Sequence, residues 1–310
     1  MKIVITGGAG FQGSHLAESL LKKGHEVTII NTFSDEKLRN IAGFEDKIRV
    51  VFGSITDTVL VEKTLRGHDL VFHLAANVNV DQSLKDPKSF LDVNVMGTFN
   101  ILEQVRALGI RMIHASTCEV YGDGHLKADR LLDETAELKP NSPYAASKAG
   151  ADRLCYSYYK SFGVNVTIVR PFNIFGERQK SGTFGALIPI LVRKAMIGEK
   201  LTVFGDGSAT RDYLHVSDLV RAYELVMDTP GLEGKSINFG SGKNTSVKDI
   251  AEYISKKLGA EIKHGPARPG EVSRFPADIS YAQSLGFSPK VDIWEGIDRY
   301  IEWTKGQEVA

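Results

Sequence analysis

Short apolar segments alternate with amphipathic segments through the first half of the chain. The apolar segments predict strands at residues 2–6, 26–30, 48–52, 69–74, 110–115 and 166–169. The segments between them predict helices near residues 13–23, 58–66, 87–108 and 144–162. Strands that alternate with helices in this way form parallel sheets with helices on both faces. The pattern therefore predicts an α/β fold built on a doubly wound parallel sheet.

The two longest predicted helices, 87–108 and 144–162, are apolar on more than one side. The first carries Phe90, Leu91, Val93, Val95, Phe99, Ile101 and Leu102, and the second carries Leu154, Tyr156, Tyr158, Tyr159 and Phe162. A helix that is apolar all round is buried on two sides. One side is expected to pack on the sheet and the other to meet a second subunit, so we expect a homodimer formed through these two helices.

The composition changes after Arg170-Pro171, where glycine and loop residues become frequent. A further strand at Lys235–Phe239 and an amphipathic helix at Val247–Leu258 follow. We therefore expect two domains: residues 1–170 as the first, and residues 171–310 as a smaller α/β substrate-binding region. The segment 235–242 is a candidate to return to the first domain.

The composition narrows the possible partners. The 310 residues include 38 basic and 38 acidic side chains, which gives a net charge of zero, so nucleic acid is not an expected partner. No apolar run approaches the ~18 residues that a membrane span requires, and no membrane association is expected. The two cysteines, Cys118 and Cys155, lack metal-ligand spacing, and no metal site is expected. A reducing cytoplasm is the default location.

A glycine-rich turn follows the first strand. The residues are Gly7-Gly8-Ala9-Gly10-Phe11-Gln12-Gly13, placed between an apolar strand and a predicted helix. Glycines allow backbone amides to approach a pyrophosphate, and a helix N-terminus favours its negative charge. Since the motif lies in the strand–turn–helix context that it requires, we expect it to bind a dinucleotide through Gly7, Gly10, Phe11, Gln12 and Gly13.

Tyr144 and Lys148 lie four residues apart on one face of a predicted helix. An ammonium beside a phenol favours the phenolate, and a bound oxidised nicotinamide would favour it further. A tyrosine of low pKa can take a hydroxyl proton while hydride leaves the same carbon. The pair is therefore the candidate catalytic base with its cation, and both residues are also expected to contact the cofactor.

These motifs occur together with others in a characteristic order, and the whole chain resembles the extended short-chain dehydrogenase/reductase family, specifically its nucleotide-sugar epimerases and dehydratases. The further landmarks are Phe72-His73-Leu74-Ala75-Ala76, Asn94, Ser116-Thr117, Val120-Tyr121-Gly122, Arg170-Pro171-Phe172-Asn173, Phe175-Gly176, Gly205-Asp206-Gly207, Arg211-Asp212-Tyr213, Val216, Asp218, Asn238-Phe239-Gly240-Ser241-Gly242 and Arg268-Pro269-Gly270-Glu271. The resemblance implies a Rossmann sheet, a bound NAD and a nucleotide-diphosphate sugar as substrate.

The resemblance also implies roles for individual residues. Leu74, Ala75 and Ala76 would line the dinucleotide, and Thr117 would hydrogen-bond the 4-oxygen of the sugar. The residues implied to hold the substrate diphosphate and nucleotide are Asn173, Arg211 and Arg268. A planar guanidinium suits phosphate oxygens because it donates two parallel hydrogen bonds.

Thr117-Cys118-Glu119 departs from the family patterns. The family's 4,6-dehydratases keep a glutamate here, and this chain has Cys118 where dehydratases of simple glucose nucleotides have aspartate. Once C4 of the sugar is a ketone, Glu119 can remove the acidified C5 proton while the C6 hydroxyl departs. Cys118 either donates a proton or fills space, and a near-neutral thiol is a feeble acid.

The second strand ends in Asn31, where an acidic residue usually contacts the cofactor ribose. Asparagine can bond a ribose hydroxyl but does not repel a 2′-phosphate, and Lys37 and Arg39 are close enough in sequence to attract one. The positions that would contact adenine are Ser54, where relatives often have aspartate, and its neighbour Ile55. NAD is the expected cofactor, and NADP is not excluded.

Three functions follow from these motifs. The leading one is an NAD-dependent nucleotide-sugar dehydratase of the 4,6 type, acting on a UDP- or dTDP-hexose. The second is a 4-epimerase of the UDP-glucose or UDP-GlcNAc type, which uses the same Tyr144, Lys148 and Thr117 and leaves Glu119 a bystander. The third is a non-catalytic dinucleotide sensor, against which the intact Tyr/Lys pair argues.

Overall fold

A computed structural model describes residues 1–32, 34–122, 131–182, 185–266 and 274–307. Within these ranges the strands are β1 (Lys2–Thr6), β2 (Glu26–Asn31), β3 (Arg49–Phe52), β4 (Leu70–His73), β5 (Arg111–Ala115), β6 (Val166–Pro171), β7 (Asn173–Phe175), β8 (Leu201–Phe204), β9 (Thr210–His215), β10 (Ser236–Phe239), β11 (Asn244–Ser246), β12 (Ile262–Gly265) and β13 (Arg274–Phe275). The α-helices are α1 (Phe11–Lys22), α2 (Asp35–Ile41), α3 (Thr58–Leu65), α4 (Val80–Lys85), α5 (Pro87–Phe90), α6 (Gly97–Leu108), α7 (Pro143–Phe162), α8 (Leu187–Met196), α9 (Val216–Asp228), α10 (Val247–Leu258), α11 (Ser280–Ser284) and α12 (Ile293–Lys305). Short 3₁₀ turns lie at Glu45–Lys47 and Cys118–Tyr121, and a π-helix lies at Leu91–Met96.

The chain divides into two compact units. The first contains Glu137–Arg170, Val220–Ile237 and the described part of Met1–Gly124. Its centre is a seven-stranded parallel sheet in the order β10-β6-β5-β4-β1-β2-β3. The strand order reverses between β1 and β4, and in such sheets ligands bind outside the carboxyl ends of the strands at this switch point. The prediction of a doubly wound parallel sheet is confirmed.

The segment that returns to the first unit is Val220–Ile237, which shares only residues 235–237 with the candidate segment 235–242. Helix α9 supplies the contacts that hold it. The Tyr223 ring lies edge-on against Phe72 at 5.9 Å, and Ser19 donates to Glu224 at 2.6 Å. Arg111 donates to the carbonyls of Val226 and Met227. Burial of α9 against this sheet, followed by β10 at the sheet edge, brings the chain back.

The predicted single helix at 87–108 is interrupted. The structure divides it into α5, the π-helix and α6, because the wider π-turn accommodates an additional residue within the helical path. Asn94 is the buried residue of the π-helix. Its side-chain Oδ1 accepts a hydrogen bond from the Asn77 backbone N–H at 2.7 Å, and its Nδ2 donates to the Asn77 carbonyl at 2.9 Å. The π-turn therefore places Asn94 against the segment that follows β4.

The helices of this region carry exposed as well as buried apolar side chains. The buried side is formed by residues such as Phe90, Ile101 and Leu102. The apolar side chains left exposed on these helices are Leu91, Met96, Phe99, Tyr156 and Phe162. The predicted two-sided apolar character is thus present, and the homodimer remains a prediction.

The second unit contains the described parts of His125–Ala136, Pro171–Leu219 and Asn238–Ala310. One sheet is formed by β11, β9 and β13, with β7 paired to β9. Strands β8 and β12 form a separate parallel pair. Side chains of α8, α10 and α12 form its core with residues such as Leu201 and Val203. No helix in the described ranges is both long and apolar enough to cross a membrane.

Candidate active site

The glycine turn after β1 is closely packed. The Gly7 N–H donates to the Ile30 carbonyl at 2.7 Å, and the Gly10 N–H donates to the Gly7 carbonyl at 2.9 Å. Gly7 has φ +73°, and a Cβ on Gly13 would lie 2.2 Å from the Gly7 carbonyl oxygen. Only glycine allows this approach at both positions.

Helix α1 begins at Phe11 directly after this turn. Its N-cap is Gly10, which provides no side-chain cap. The N–H groups of the first helical turn, at Phe11, Gln12 and Gly13, have no acceptor within the helix. These donors and the helix dipole fit a pyrophosphate, so the residues present fit a dinucleotide.

The segment after β4 lies beside this turn. The Leu74 N–H donates to the Thr6 carbonyl at 3.1 Å, and the Ala75 N–H donates to Thr6 Oγ1 at 3.1 Å. A Cβ on Gly7 would meet the Ala75 nitrogen at 2.9 Å. The structure therefore brings Leu74 and Ala75, with Ala76 next in the chain, to the glycine turn at the switch point of the sheet.

Asn31 ends β2 and is buried. Its Oδ1 accepts from the Ala9 N–H at 3.3 Å, and its Nδ2 donates to the Thr32 carbonyl at 2.8 Å. The amide therefore ties the strand end to the glycine turn, and it contributes no negative charge at the position where an acidic side chain would repel a 2′-phosphate.

Ser54 and Ile55 follow β3. Ser54 Oγ accepts from the Thr56 N–H at 3.1 Å. Ile55 is buried, and its carbonyl accepts from Asn100 Nδ2 at 3.1 Å. Both residues are thus held in place by the first unit, and their contact with adenine remains a prediction.

Tyr144 and Lys148 lie in the first turns of α7. The helix begins at Pro143, with Ser142 as its N-cap accepting from the Ala145 N–H at 3.1 Å. A proline at the first position is favoured because its φ is already helical and it has no N–H to satisfy. Both Tyr144 and Lys148 are buried. Lys148 Nζ donates to the Ala115 carbonyl at the end of β5, at 2.6 Å.

The pKa of Tyr144 is raised in the protein without a cofactor, whereas the sequence predicts a low one. Burial raises the pKa of the phenol, and the charge of Glu119 and the nearby Cys118 raise it further. A hydrogen bond with the Thr117 side chain acts in the opposite direction. Burial disfavours the charged form of any phenol, which the spacing of Tyr144 and Lys148 in the sequence could not reveal. Positive charge from a bound oxidised nicotinamide would work in the opposite sense.

Burial also lowers the pKa of Lys148 to about 8, although Cys155 and Asp152 oppose this shift. The ammonium is therefore present at neutral pH and is lost at moderately alkaline pH.

Thr117, Cys118 and Glu119 follow β5. Thr117 is the N-cap of the 3₁₀ turn Cys118–Tyr121, and its Oγ1 accepts from the Glu119 N–H at 3.3 Å. Cys118 is only 2% exposed, and Glu119 is half-buried. The Thr117 side chain hydrogen-bonds the Tyr144 phenol, and the charge of Glu119 acts on the same phenol. The turn that follows β5 therefore lies close to Tyr144.

A buried hydrogen-bond network supports this site. Asn94 Nδ2 donates to Ser147 Oγ at 2.9 Å, and Ser147 Oγ donates to the Tyr144 carbonyl at 2.7 Å. Thr98 Oγ1 donates to the Asn94 carbonyl at 2.6 Å. The sequence motifs include Asn94 but assign it no role. Ser147 lies inside the Tyr144–Lys148 motif, which was the only sequence signal for it.

In the second unit, Asn173 and Arg211 lie on the adjacent strands β7 and β9. Asn173 Nδ2 donates to the Asp212 carbonyl at 3.3 Å. Arg211 donates to the Thr210 carbonyl at 2.8 Å, and its guanidinium lies 5.5 Å from the Phe275 ring centroid. Arg268 lies outside the described residues. The described residues contain no cluster of side chains that could hold a metal ion.

The chain is similar to known proteins over nearly its whole length. The family model for GDP-mannose 4,6 dehydratase matches residues 4–300. A dTDP-glucose 4,6-dehydratase of Streptomyces niveus is 36% identical over 98% of this chain and 92% of its own length. A putative UDP-glucose 4-epimerase of Methanocaldococcus jannaschii is 34% identical over 98% of both chains.

A solved structure of a relative has a similar fold. DesIV, a dTDP-glucose 4,6-dehydratase from Streptomyces venezuelae solved with NAD bound, superposes with a TM-score of 0.91. It is 32% identical, and the match covers 99% of this chain and 98% of that chain. The resemblance inferred from the motifs is confirmed: this chain belongs to the GDP-mannose 4,6-dehydratase family, among the nucleotide-sugar dehydratases and epimerases of the short-chain dehydrogenase/reductase group.

Proposed function

We propose that the protein is an NAD-dependent nucleotide-sugar dehydratase that removes water across C5 and C6 of a UDP- or dTDP-hexose. The observation that carries this proposal is the place of Glu119 near Tyr144. The Glu119 N–H donates to Thr117 Oγ1 at 3.3 Å, and the Thr117 side chain hydrogen-bonds the Tyr144 phenol. A carboxylate there can accept the C5 proton, which a 4-epimerase does not need to remove.

The dinucleotide is assigned to the glycine turn, with Gly7, Gly10, Phe11, Gln12 and Gly13 around the pyrophosphate. NAD held there would supply a hydride acceptor for C4 of the sugar that is regenerated within the reaction. Leu74, Ala75 and Ala76 line this cofactor, and Asn31, Ser54 and Ile55 lie toward its adenosine half. DesIV, a relative that is similar over nearly its whole length, contains NAD, which supports NAD over NADP.

Tyr144 takes the proton of the 4-hydroxyl group. Its hydrogen bond with Thr117 lowers the pKa of the phenol against the effect of burial, and Thr117 is assigned to the 4-oxygen of the sugar. The Lys148 ammonium stabilises the phenolate by its positive charge.

Glu119 then takes the C5 proton, which the adjacent C4 ketone has made acidic. Expulsion of the C6 hydroxyl needs a proton, and Cys118 is the neighbouring side chain with one to give. Its thiol is a weak acid, so we assign Cys118 either this role or the role of filling space. Asn173, Arg211 and Arg268 are assigned to the diphosphate and nucleotide.

The test is incubation of the protein and NAD with UDP-GlcNAc, UDP-glucose, UDP-glucuronate and dTDP-glucose, followed by mass spectrometry. A product lighter by one water molecule supports the dehydratase. In Glu119→Gln we expect this product to form about 10²–10⁴-fold more slowly, as for loss of a general base. Full dehydratase activity in Glu119→Gln contradicts the role of the carboxylate.

One observation favours the alternative, a nucleotide-sugar 4-epimerase. Cys118 is buried and provides no strong acid to protonate the leaving hydroxyl group. The relative from Methanocaldococcus jannaschii carries an epimerase name. An epimerase uses the same Tyr144, Lys148 and Thr117, and would give a product of unchanged mass and altered stereochemistry in the same incubation.

A further inference from the structure

A buried ion pair joins Asp152 on α7 to Arg170 on β6. The side chains of Arg170 and Asp152 are 1% and 0% exposed. Arg170 Nε donates to Asp152 Oδ2 at 2.8 Å, and a terminal nitrogen of the same guanidinium donates to Oδ1 at 2.9 Å. Burial favours the protonated carboxyl, but the hydrogen bonds and charges of Arg170, and after it of Arg153, hold the pKa of Asp152 below its usual value. Both groups are therefore charged at neutral pH.

The pair joins the segments that carry the proposed reacting groups. Ser116 Oγ donates to Asp152 Oδ2 at 2.7 Å. Arg170 Nη1 donates to the Tyr121 hydroxyl at 2.9 Å, and the guanidinium lies 5.0 Å from the centroid of the Tyr121 ring. Ser116 and Tyr121 stand on either side of Thr117, Cys118 and Glu119 in the chain. The ion pair thus fixes both ends of that short segment.

Asp152 itself lies on α7, one helical turn after Lys148 and two turns after Tyr144. Residues at i and i+4 share one face of a helix. The same carboxylate therefore contacts the Ser116–Tyr121 segment directly and through Arg170, and belongs to the helix that carries the proposed base. This arrangement fixes Glu119 and Thr117 relative to Tyr144.

Stability alone does not account for this pair. Desolvation of two buried charges offsets most of their attraction, and well-packed apolar residues of similar volume often stabilise a protein as well or better. A planar guanidinium that bonds a carboxylate with two nitrogens and a phenol with the third does, however, define the relative positions of three segments. The ion pair is therefore suited to fixing the relative positions of these three segments.

The charge of Asp152 also acts on Lys148. Among the residues that the structure describes, the titratable groups that interact with the ammonium are Asp152 and Cys155 on α7, His114 on β5, and His73 on β4. Burial raises the pKa of Cys155 and lowers the pKa of both histidines, so these three are neutral near pH 7. Asp152 is the charged member of this group, and its charge favours the protonated amine.

We propose that Asp152 is a positioning residue of the active site, which together with Arg170 holds the Ser116–Tyr121 segment against α7 and supplies the counter-charge of the Lys148 ammonium. This inference rests on the proposed roles of Tyr144, Lys148 and Glu119. It predicts that Asp152 influences the reaction in two separable ways, through geometry and through charge.

The charge is tested by the pH dependence of kcat/KM in the full-length protein with NAD and its substrate. Asp152→Asn removes the counter-charge, so the decline of activity at alkaline pH should move to lower pH by about one unit. Arg170→Lys keeps the Asp152 charge but loses the two-nitrogen contact and the bond to Tyr121. Arg170→Lys should lower kcat about tenfold and leave the pH of the alkaline decline unchanged. Asp46→Asn, the same substitution at an exposed position, is the matched control and should behave as wild type.

Asp152→Asn leaves the Arg170 charge buried without its partner and could fail to fold. The double variant Asp152→Asn/Arg170→Met removes both charges and should show the same shift of the alkaline decline. An alkaline decline that stays at the wild-type pH in a folded variant without the Asp152 charge overturns the charge role.

The geometry is tested without substrate by amide hydrogen exchange of residues 116–122. Tyr121→Phe removes one hydrogen bond and no charge, and should increase exchange in this segment at least tenfold, with no change in the glycine turn at residues 7–13. If residues 116–122 exchange at the wild-type rate in both Tyr121→Phe and Arg170→Lys, the positioning role is wrong. If the wild-type protein processes no nucleotide sugar, the proposed function is wrong. The hydrogen-exchange measurement still tests the positioning role in that case, because it does not depend on turnover.

Discussion

His73 Nδ1 accepts a hydrogen bond from the hydroxyl of Thr6 at 2.7 Å, deep inside the first unit. On the other side of the ring, Nε2 lies 2.9 Å from Thr98 Oγ1. The Thr98 hydroxyl donates its proton to the Asn94 carbonyl. Its oxygen must therefore accept a hydrogen bond from His73 Nε2–H. Burial and the charge of Lys148 lower the pKa of His73 to about 3. The imidazole is therefore neutral, with its proton on Nε2, and it links the strand before the glycine turn to helix α6.

This neutral histidine makes stability depend on pH. In the unfolded chain His73 binds a proton near pH 6.5, whereas in the folded chain it does so only near pH 3. Between these values the unfolded state binds more protons, so the contribution is complete above pH 6.5 and falls as the pH is lowered. The loss is about 1.4 kcal/mol for each pH unit below 6.5.

We therefore expect His73→Gln, which can keep both hydrogen bonds but cannot titrate, to show a shallower loss of stability with acid than wild type. Urea unfolding between pH 4.5 and 7 measures the slope. His264→Gln, at an exposed position, is the control and should keep the wild-type slope. Equal slopes in wild type and His73→Gln would show that the histidine is protonated in the folded state.

Removal of the Tyr144 hydroxyl should stop the oxidation of the sugar. Tyr144→Phe keeps the buried ring, including its edge contact with Phe90 at 6.4 Å, and removes the base, so kcat should fall about 10²–10⁴-fold. Steady-state kinetics with a processed nucleotide sugar measure the loss. Tyr156→Phe removes an exposed phenol from the same helix and should retain wild-type activity. An active Tyr144→Phe protein contradicts the proposed base.

Asn31 should control the choice between NAD and NADP. Because it is uncharged, wild type should bind NADP only moderately less well than NAD, and Asn31→Asp should weaken NADP binding by about tenfold or more through repulsion of the 2′-phosphate. Calorimetric titration with both dinucleotides gives the two dissociation constants. An unchanged ratio of the two constants in Asn31→Asp places the 2′-position away from this residue.

The exposed apolar face of the long helices should carry the homodimer contact. Phe99 lies on this face, and Phe99→Glu should convert the dimer to the 34.0 kDa monomer, because a buried unpaired carboxylate opposes association. Light scattering measures the mass. Val59→Glu changes an exposed apolar residue on α3 and should leave the dimer intact. A wild-type mass of one chain contradicts the dimer itself.

Local features of the site could be predicted from the sequence because neighbouring residues encode them. The glycine turn depends on Gly7, Gly10 and Gly13 within one short segment, and the alternation of strands and helices fixes where that segment lies. The pairing of Tyr144 with Lys148 follows from helical spacing alone. The roles expected for Thr117 and Glu119 came from the family resemblance, because the residues next to them in the sequence do not indicate these roles.

Burial and long-range pairing could be decided only by the tertiary structure. The raised pKa of Tyr144 arises from desolvation by elements distant in sequence. The contact of Asp152 with Ser116 joins positions 36 residues apart, and the return of Val220–Ile237 to the first unit depends on packing of α9 against the sheet. The sequence by itself determined which chemical groups are present and the local geometry of the turn and the helix. Folding decided their charge states and their partners, because both depend on which distant segments exclude water from them.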